Sequence, residues 1–201
     1  MNIALDVDGC EANFIKSFIL TAQGRGISNL PRHWTDWRGW DGGISQNDFR
    51  DVFAEIADKP AWWLSIDPMD DAYVNFQPAA YITDRPIASK YTHSWLTSNG
   101  FPDAPVITTG QVGQSKSEIM KTHGIDLIVE DRIANFKAIN KTKGVCAVLL
   151  RRPWNHSISG KIQLNPHYYA PVHMCIKWMA DLPLFIENNP NTIQQLIDSG
   201  S

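Results

Sequence analysis

Two hydrophobic rhythms alternate along the chain. Short apolar runs rich in β-branched residues read as buried strands: Ile3-Ala4-Leu5, Ala79-Ala80-Tyr81-Ile82, Val106-Ile107-Thr108, Leu127-Ile128-Val129-Glu130 and the run over 145–150. Between them, apolar residues recur every three or four positions, the period of an amphipathic helix. Residues 12–20 have it and stop at Gly24 and Gly26; residues 47–56 carry the stripe Phe49, Val52, Phe53, Ile56. Ile87, Tyr91 and Trp95 mark a third face closed by Asn99-Gly100, and further helices are expected from Lys116 to His123-Gly124 and over 133–140. Pro60 is expected to end the second helix, and Pro86 to open the helix after Thr83. Residues 171–201 read as a short strand and one or two helices interrupted by Pro183 and Pro190.

Strands alternating with helices imply parallel, right-handed crossovers. The expected fold is therefore α/β, a doubly wound, Rossmann-like parallel sheet. Residues 1–11 and 76–201 would form its core. Residues 12–75, mostly helical, would be a small cap inserted after the first strand, placed to cover whatever lies at that strand's end.

In open parallel sheets, ligands bind beyond the carboxyl ends of the strands, and the chain's chemistry gathers there. Asp6 and Asp8 follow the first strand, two apart and so on one face, with Gly9 to turn the chain. Two carboxylates so close repel unless a cation or a shared proton intervenes, and Mg²⁺ with its oxygen ligands is the expected remedy. Thr83 and Asp84 end the second strand beside backbone N–H groups suited to a phosphate oxygen; either residue would equally serve as a helix cap. A Gly-rich loop after the third strand leads to Lys116, a cation in a first helical turn, where the macrodipole disfavours it. Glu130 and Asp131, a second acid pair, end the fourth strand.

The insert is unusually aromatic, accounting for much of the chain's eight tryptophans. Most of Trp34, Trp37, Trp40, Phe49, Phe53, Trp62 and Trp63 are expected to be cap core. One or two rings reaching the crevice would stack on a nucleobase, with Trp34, Trp37 and Phe49 as candidates. The turn Arg151-Arg152-Pro153-Trp154-Asn155-His156 lies at the same sheet edge. His156 there is either a base or plain surface.

Composition narrows the function classes. At 201 residues, 43% hydrophobic and 19% charged, the chain is an ordinary globular protein. A net charge of −3 gives no reason to expect binding to long nucleic acid. No apolar run is long enough to span a bilayer, and the acid-bearing first strand is no signal peptide. Three scattered cysteines, Cys10, Cys146 and Cys175, fit a reducing cytoplasm rather than a disulfide framework or a metal knot; Cys10 has no base near it in sequence and reads as packing. A homodimer is left open.

The order acid pair, hydroxyl, lysine, acid pair, each after a strand, resembles the four motifs of the haloacid dehalogenase-like phosphatase superfamily. The resemblance implies that Asp6 is a nucleophile forming an aspartyl-phosphate. Asp8 would be the acid and base, and its backbone carbonyl a Mg²⁺ ligand. Thr83 would hold a phosphate oxygen, and Lys116 would neutralise charge on Asp6 and the phosphoryl group. Asp131 would bind Mg²⁺, with Glu130 supporting it, in a place where the family often has a second aspartate. The insert, its aromatics and the Arg-Pro-Trp-Asn turn look most like the 5′(3′)-deoxyribonucleotidases, which implies a nucleoside monophosphate substrate. A phosphatase for sugar phosphates, a phosphomutase, a phosphatase acting on nucleic-acid ends, and a binding protein that has kept the fold without turnover are the alternatives.

Overall fold

The computed structural model describes residues 1–28, 30, 44–155, 174–177 and 179–199. Among these described residues, six parallel strands form one sheet in the order β3-β2-β1-β4-β5-β6. They are β1 (Ile3–Leu5), β2 (Ala80–Thr83), β3 (Val106–Thr108), β4 (Leu127–Glu130), β5 (Cys146–Leu150) and β6 (Cys175–Ile176). Every residue of β2, β4 and β5 is buried, as continuous apolar runs demand when helices cover both faces. The fold is the expected Rossmann-like, doubly wound sheet.

Helices α1 (Phe14–Gly24), α2 (Gln46–Ile56) and α3 (Pro60–Leu64) separate β1 from β2. Asn13 caps α1 and Ser45 caps α2, each accepting a backbone N–H three residues on. Their apolar faces and the sheet share one continuous core, in which Phe14 stacks on Trp63 at 5.7 Å and Phe18 meets Phe49 at 4.8 Å. Among the described residues, no helix is long and apolar enough to cross a membrane.

Four local expectations need correction. Pro60 opens α3; α2 has already ended at Ile56. Pro86 opens nothing: α4 (Ser89–Ser98) starts three residues later. The Arg85 N–H donates to Thr83 Oγ1 at 3.2 Å, a local turn that competes with helix entry. The Gly-rich loop begins as a helical turn, α5 (Thr109–Val112), before Gly113 reverses it at φ 66°. Finally, Pro183 and Pro190 interrupt nothing. They sit in the first turns of α8 (Leu182–Asn188) and α9 (Pro190–Ser199), where a missing N–H costs nothing.

The helices that carry site residues are placed by ordinary signals. In α6 (Lys116–Thr122) Ser115 accepts the Glu118 N–H and the Glu118 carboxylate accepts the Ser115 N–H, a reciprocal cap that fixes Lys116 as the first helical residue. Helix α7 (Ile133–Asn140) follows β4 directly.

Candidate active site

The strand order reverses direction between β1 and β4, so their carboxyl ends border the sheet's crevice. Leu5 pairs with Val129, and the Asp6 N–H donates to Val129 O at 3.0 Å. This register brings Asp6 beside Glu130 and Asp131, and carboxylate oxygens of the three lie within 4.8 Å of one another. Lys116 reaches in from α6. Its Nζ is 2.8 Å from Asp6 Oδ1 and 2.8 Å from Glu130 Oε2.

All four side chains are buried. Burial pushes the Asp6 carboxyl well above the usual range, and Glu130 and Asp131 add to this more than Lys116 offsets. Burial and the Glu130 charge push Asp131 up in the same way. Burial alone would lower the Lys116 ammonium, but the Asp6 and Glu130 charges outweigh it and hold the proton firmly.

Asp131 is oriented by the turn after β5. Trp154 Nε1 donates to Asp131 Oδ2 at 2.6 Å, and Asn155 Nδ2 donates to its backbone carbonyl at 2.8 Å. The other carboxylate oxygen, Oδ1, is buried with no hydrogen-bond partner. Three carboxylates against one ammonium leave two formal negative charges. A divalent cation would cancel them and satisfy the orphaned oxygen, and a hard, all-oxygen donor set suits Mg²⁺. These residues therefore fit the ion.

Each sequence candidate can be located. Asp6, Lys116, Glu130 and Asp131 meet. Both Glu130 oxygens are engaged, Oε1 by the Arg132 N–H at 2.9 Å and Oε2 by Lys116 and Asn135, so Glu130 anchors the lysine. The Asp8 carboxylate is not in the cluster. It accepts Arg85 Nε at 3.0 and 3.1 Å and Nη2 at 2.8 Å, which leaves its backbone carbonyl as the group to consider for a metal. Thr83 is fully buried, its hydroxyl accepting the Arg85 N–H. Asp84 faces the crevice as a carboxylate. Burial would raise its pKa, but Lys116, the Thr109 hydroxyl and Arg132 outweigh that and hold it below the usual range. As an anion it repels phosphate, so any help to that ligand comes from its backbone. Trp34, Trp37, Trp40 and His156 lie outside the described residues.

A cavity of about 290 Å³ opens above Asp6 and Asp8. Asp84, Arg85, Arg132 and Asn135 form its polar wall, and Phe14, Phe49, Phe53 and Trp63 from α1–α3 form the other. Phe49 was a sequence candidate; Phe14 and Trp63 share a stacked contact on the same wall. No known family profile matches the chain, and no curated protein matches it.

Sequence reasoning gave no role to Arg85, Arg152, Trp154 or Asn155. Arg152 holds the turn after β1: its Nε donates to Gly9 O at 2.6 Å and its Nη2 to Cys10 O at 3.0 Å. Cys10 is buried, and burial raises its thiol well above the usual value, in keeping with a packing role.

Proposed function

We propose that the chain is a Mg²⁺-dependent phosphomonoester hydrolase of the haloacid dehalogenase-like kind, acting on nucleoside monophosphates as the 5′(3′)-deoxyribonucleotidases do. One observation carries the reading: Asp6, Lys116 and Asp131, from three distant segments, converge below an open cavity, and Asp131 Oδ1 is left without a partner. An unsatisfied buried carboxylate oxygen is costly. Glu11 and Asp71 carry such oxygens too, but Asp131 belongs to the group of three carboxylates that a cation would complete.

Bound Mg²⁺ would offset the repulsion between carboxylate and phosphoryl oxygens; Asp6, Asp131 and the Asp8 carbonyl would hold it. Asp6 attacks phosphorus, and the bond to the leaving oxygen breaks as Asp8, entering the step as the carboxylic acid, gives it its proton. Asp8 then takes a proton from water, whose oxygen attacks the same phosphorus and restores the Asp6 carboxylate. Lys116 fixes Asp6 Oδ1 and keeps a positive charge beside the phosphoryl group throughout. The Thr83 hydroxyl accepts the Arg85 N–H and still has its own proton to donate to a phosphate oxygen.

The wall of Phe14, Phe49, Phe53 and Trp63 favours a substrate with a flat apolar part over a bare sugar phosphate. A cytosolic location belongs to the same proposal, and the free cysteines suit it.

The test is phosphate release from a panel of nucleoside monophosphates and sugar phosphates, with and without Mg²⁺, by the wild-type chain and Asp6→Asn. The reading expects Mg²⁺-dependent release that favours nucleotides and falls by orders of magnitude in Asp6→Asn. Turnover by Asp6→Asn near the wild-type rate would end the aspartyl-phosphate mechanism. Equal rates on sugar phosphates would end the nucleotide assignment.

A further inference from the structure

We propose that Arg85 is the positioning residue for Asp8, and that the Trp63 and Trp95 rings hold Arg85 in place by cation–π contact. This rests on the hydrolase reading and adds to it a residue that no motif supplied.

The Arg85 side chain is fully buried, while Asp8 is 13% exposed and opens to the cavity. Two guanidinium nitrogens grip both Asp8 oxygens at 2.8–3.1 Å. A two-pronged grip fixes the plane of a carboxylate as well as its distance. The guanidinium carbon lies 5.3 Å from the centre of the Trp63 ring and 5.2 Å from that of Trp95, so two indoles reach the cation and, with the Asp8 carboxylate, clamp it. Both rings are themselves tied down. Trp63 Nε1 donates to Ile56 O at 3.0 Å, and Trp95 Nε1 donates to Ile66 O at 2.8 Å.

Stability alone does not account for the arrangement. A buried ion pair is often no better than well-packed apolar residues, and this one leaves Arg85 Nη1 buried without a partner. The compensating gain is orientation. A side chain that must deliver a proton and later accept one has to stay in a single rotamer over the reacting phosphorus. An error of about 1 Å in such placement can cost on the order of 100-fold in rate. The clamp also joins α3 of the insert to α4 of the core at the acid itself, so the aromatic wall and Asp8 keep a fixed relation.

The test measures p-nitrophenyl phosphate hydrolysis with Mg²⁺ by the wild-type chain, Arg85→Lys, Asp8→Asn and the double variant. Lysine keeps the charge but not the fork. Arg85→Lys is expected to lower kcat roughly 10- to 100-fold while KM and the rise in melting temperature on adding Mg²⁺ stay near wild type. In the Asp8→Asn background the same substitution should cost little more, because Arg85 acts through Asp8. Trp95→Leu, which removes one wall of the clamp outside the cavity, should lower kcat in the same selective way, and it carries the test if Arg85→Lys does not fold. An unchanged kcat, a raised KM and weakened Mg²⁺ response alongside the fall in kcat, or fully additive losses would overturn the role of Arg85. A wild-type chain with no turnover would remove the hydrolase reading, and this inference with it.

Discussion

Gly9 and Asp131 approach so closely that no side chain fits between them. A Cβ on Gly9 would lie 2.5 Å from Asp131 Cγ and 3.1 Å from its Oδ1, and Gly9 is already at φ 87°. The turn after β1 thus packs directly on the acid after β4. Gly9→Ala should lose stability on two counts, about 1–3 kcal/mol from the backbone alone, plus the displacement of Asp131. Urea unfolding should show this as a lower midpoint. Gly110→Ala is the control: Gly110 lies in α5 with nothing within 4 Å of its Cβ position, so its midpoint should hold or rise. Equal midpoints for the two variants would mean that the contact is not tight.

Trp154 fixes which Asp131 oxygen is left open, because its Nε1 occupies Oδ2 and leaves Oδ1 alone. A ligand that binds only the folded chain raises its melting temperature by mass action. Mg²⁺ should therefore stabilise the wild-type protein. Trp154→Phe keeps an aromatic ring and loses the donor, and removing such an outer partner typically weakens metal affinity about 10- to 100-fold. In Trp154→Phe the rise should need correspondingly more Mg²⁺, and in Asp131→Asn it should vanish. A full response in Asp131→Asn would place the ion elsewhere.

The parts of this site legible in the sequence are those that strand geometry dictates. The apolar runs bounded β3 and β4 to the residue, and a parallel sheet puts the ends of such runs on one edge, so Asp6, Lys116 and Asp131 could be brought together on paper. Arg85 could not. Its partner Asp8 is 77 residues away, and a single arginine has no periodicity to mark it. Trp154 was visible as part of a turn, but a donor aimed at Asp131 exists only once β5 is laid beside β4. Pro86 misled because proline marks the first turn of a helix only by preference, and here a Thr83 turn intervenes.

Phe49 is the sequence candidate that reaches the cavity wall, on α2 and stacked near Phe53 at 6.2 Å. Stacking of a base on such a ring contributes about 1–3 kcal/mol. Phe49→Leu keeps much of the apolar volume and removes the flat face. KM for a nucleoside monophosphate should rise roughly 5- to 150-fold, the range that energy implies. KM for a sugar phosphate should barely move. A shift that is the same for both substrates would assign Phe49 to packing of the insert, as its contact with Phe18 alone would suggest.

Cys146 gives a pH dependence that does not involve the site. It is buried in β5, and burial pushes its thiol up to about 12 from an ordinary 9.0. The folded chain thus keeps this proton at pH values where the unfolded chain has lost it. Its contribution to stability is complete below pH 9.0 and drains away as pH rises toward about 12. Above the lower value the loss approaches about 1.4 kcal/mol per pH unit. Tyr81 and Cys10 are shifted in the same direction, so the whole protein weakens in alkali, and only a difference isolates Cys146. Cys146→Ala removes the titrating group. Its urea midpoint should therefore fall less steeply than the wild-type midpoint between about pH 8 and about pH 10.5. Parallel curves over that range would show that the thiol ionises alike in the folded and unfolded chains, and that β5 is open to water where the fold makes it closed.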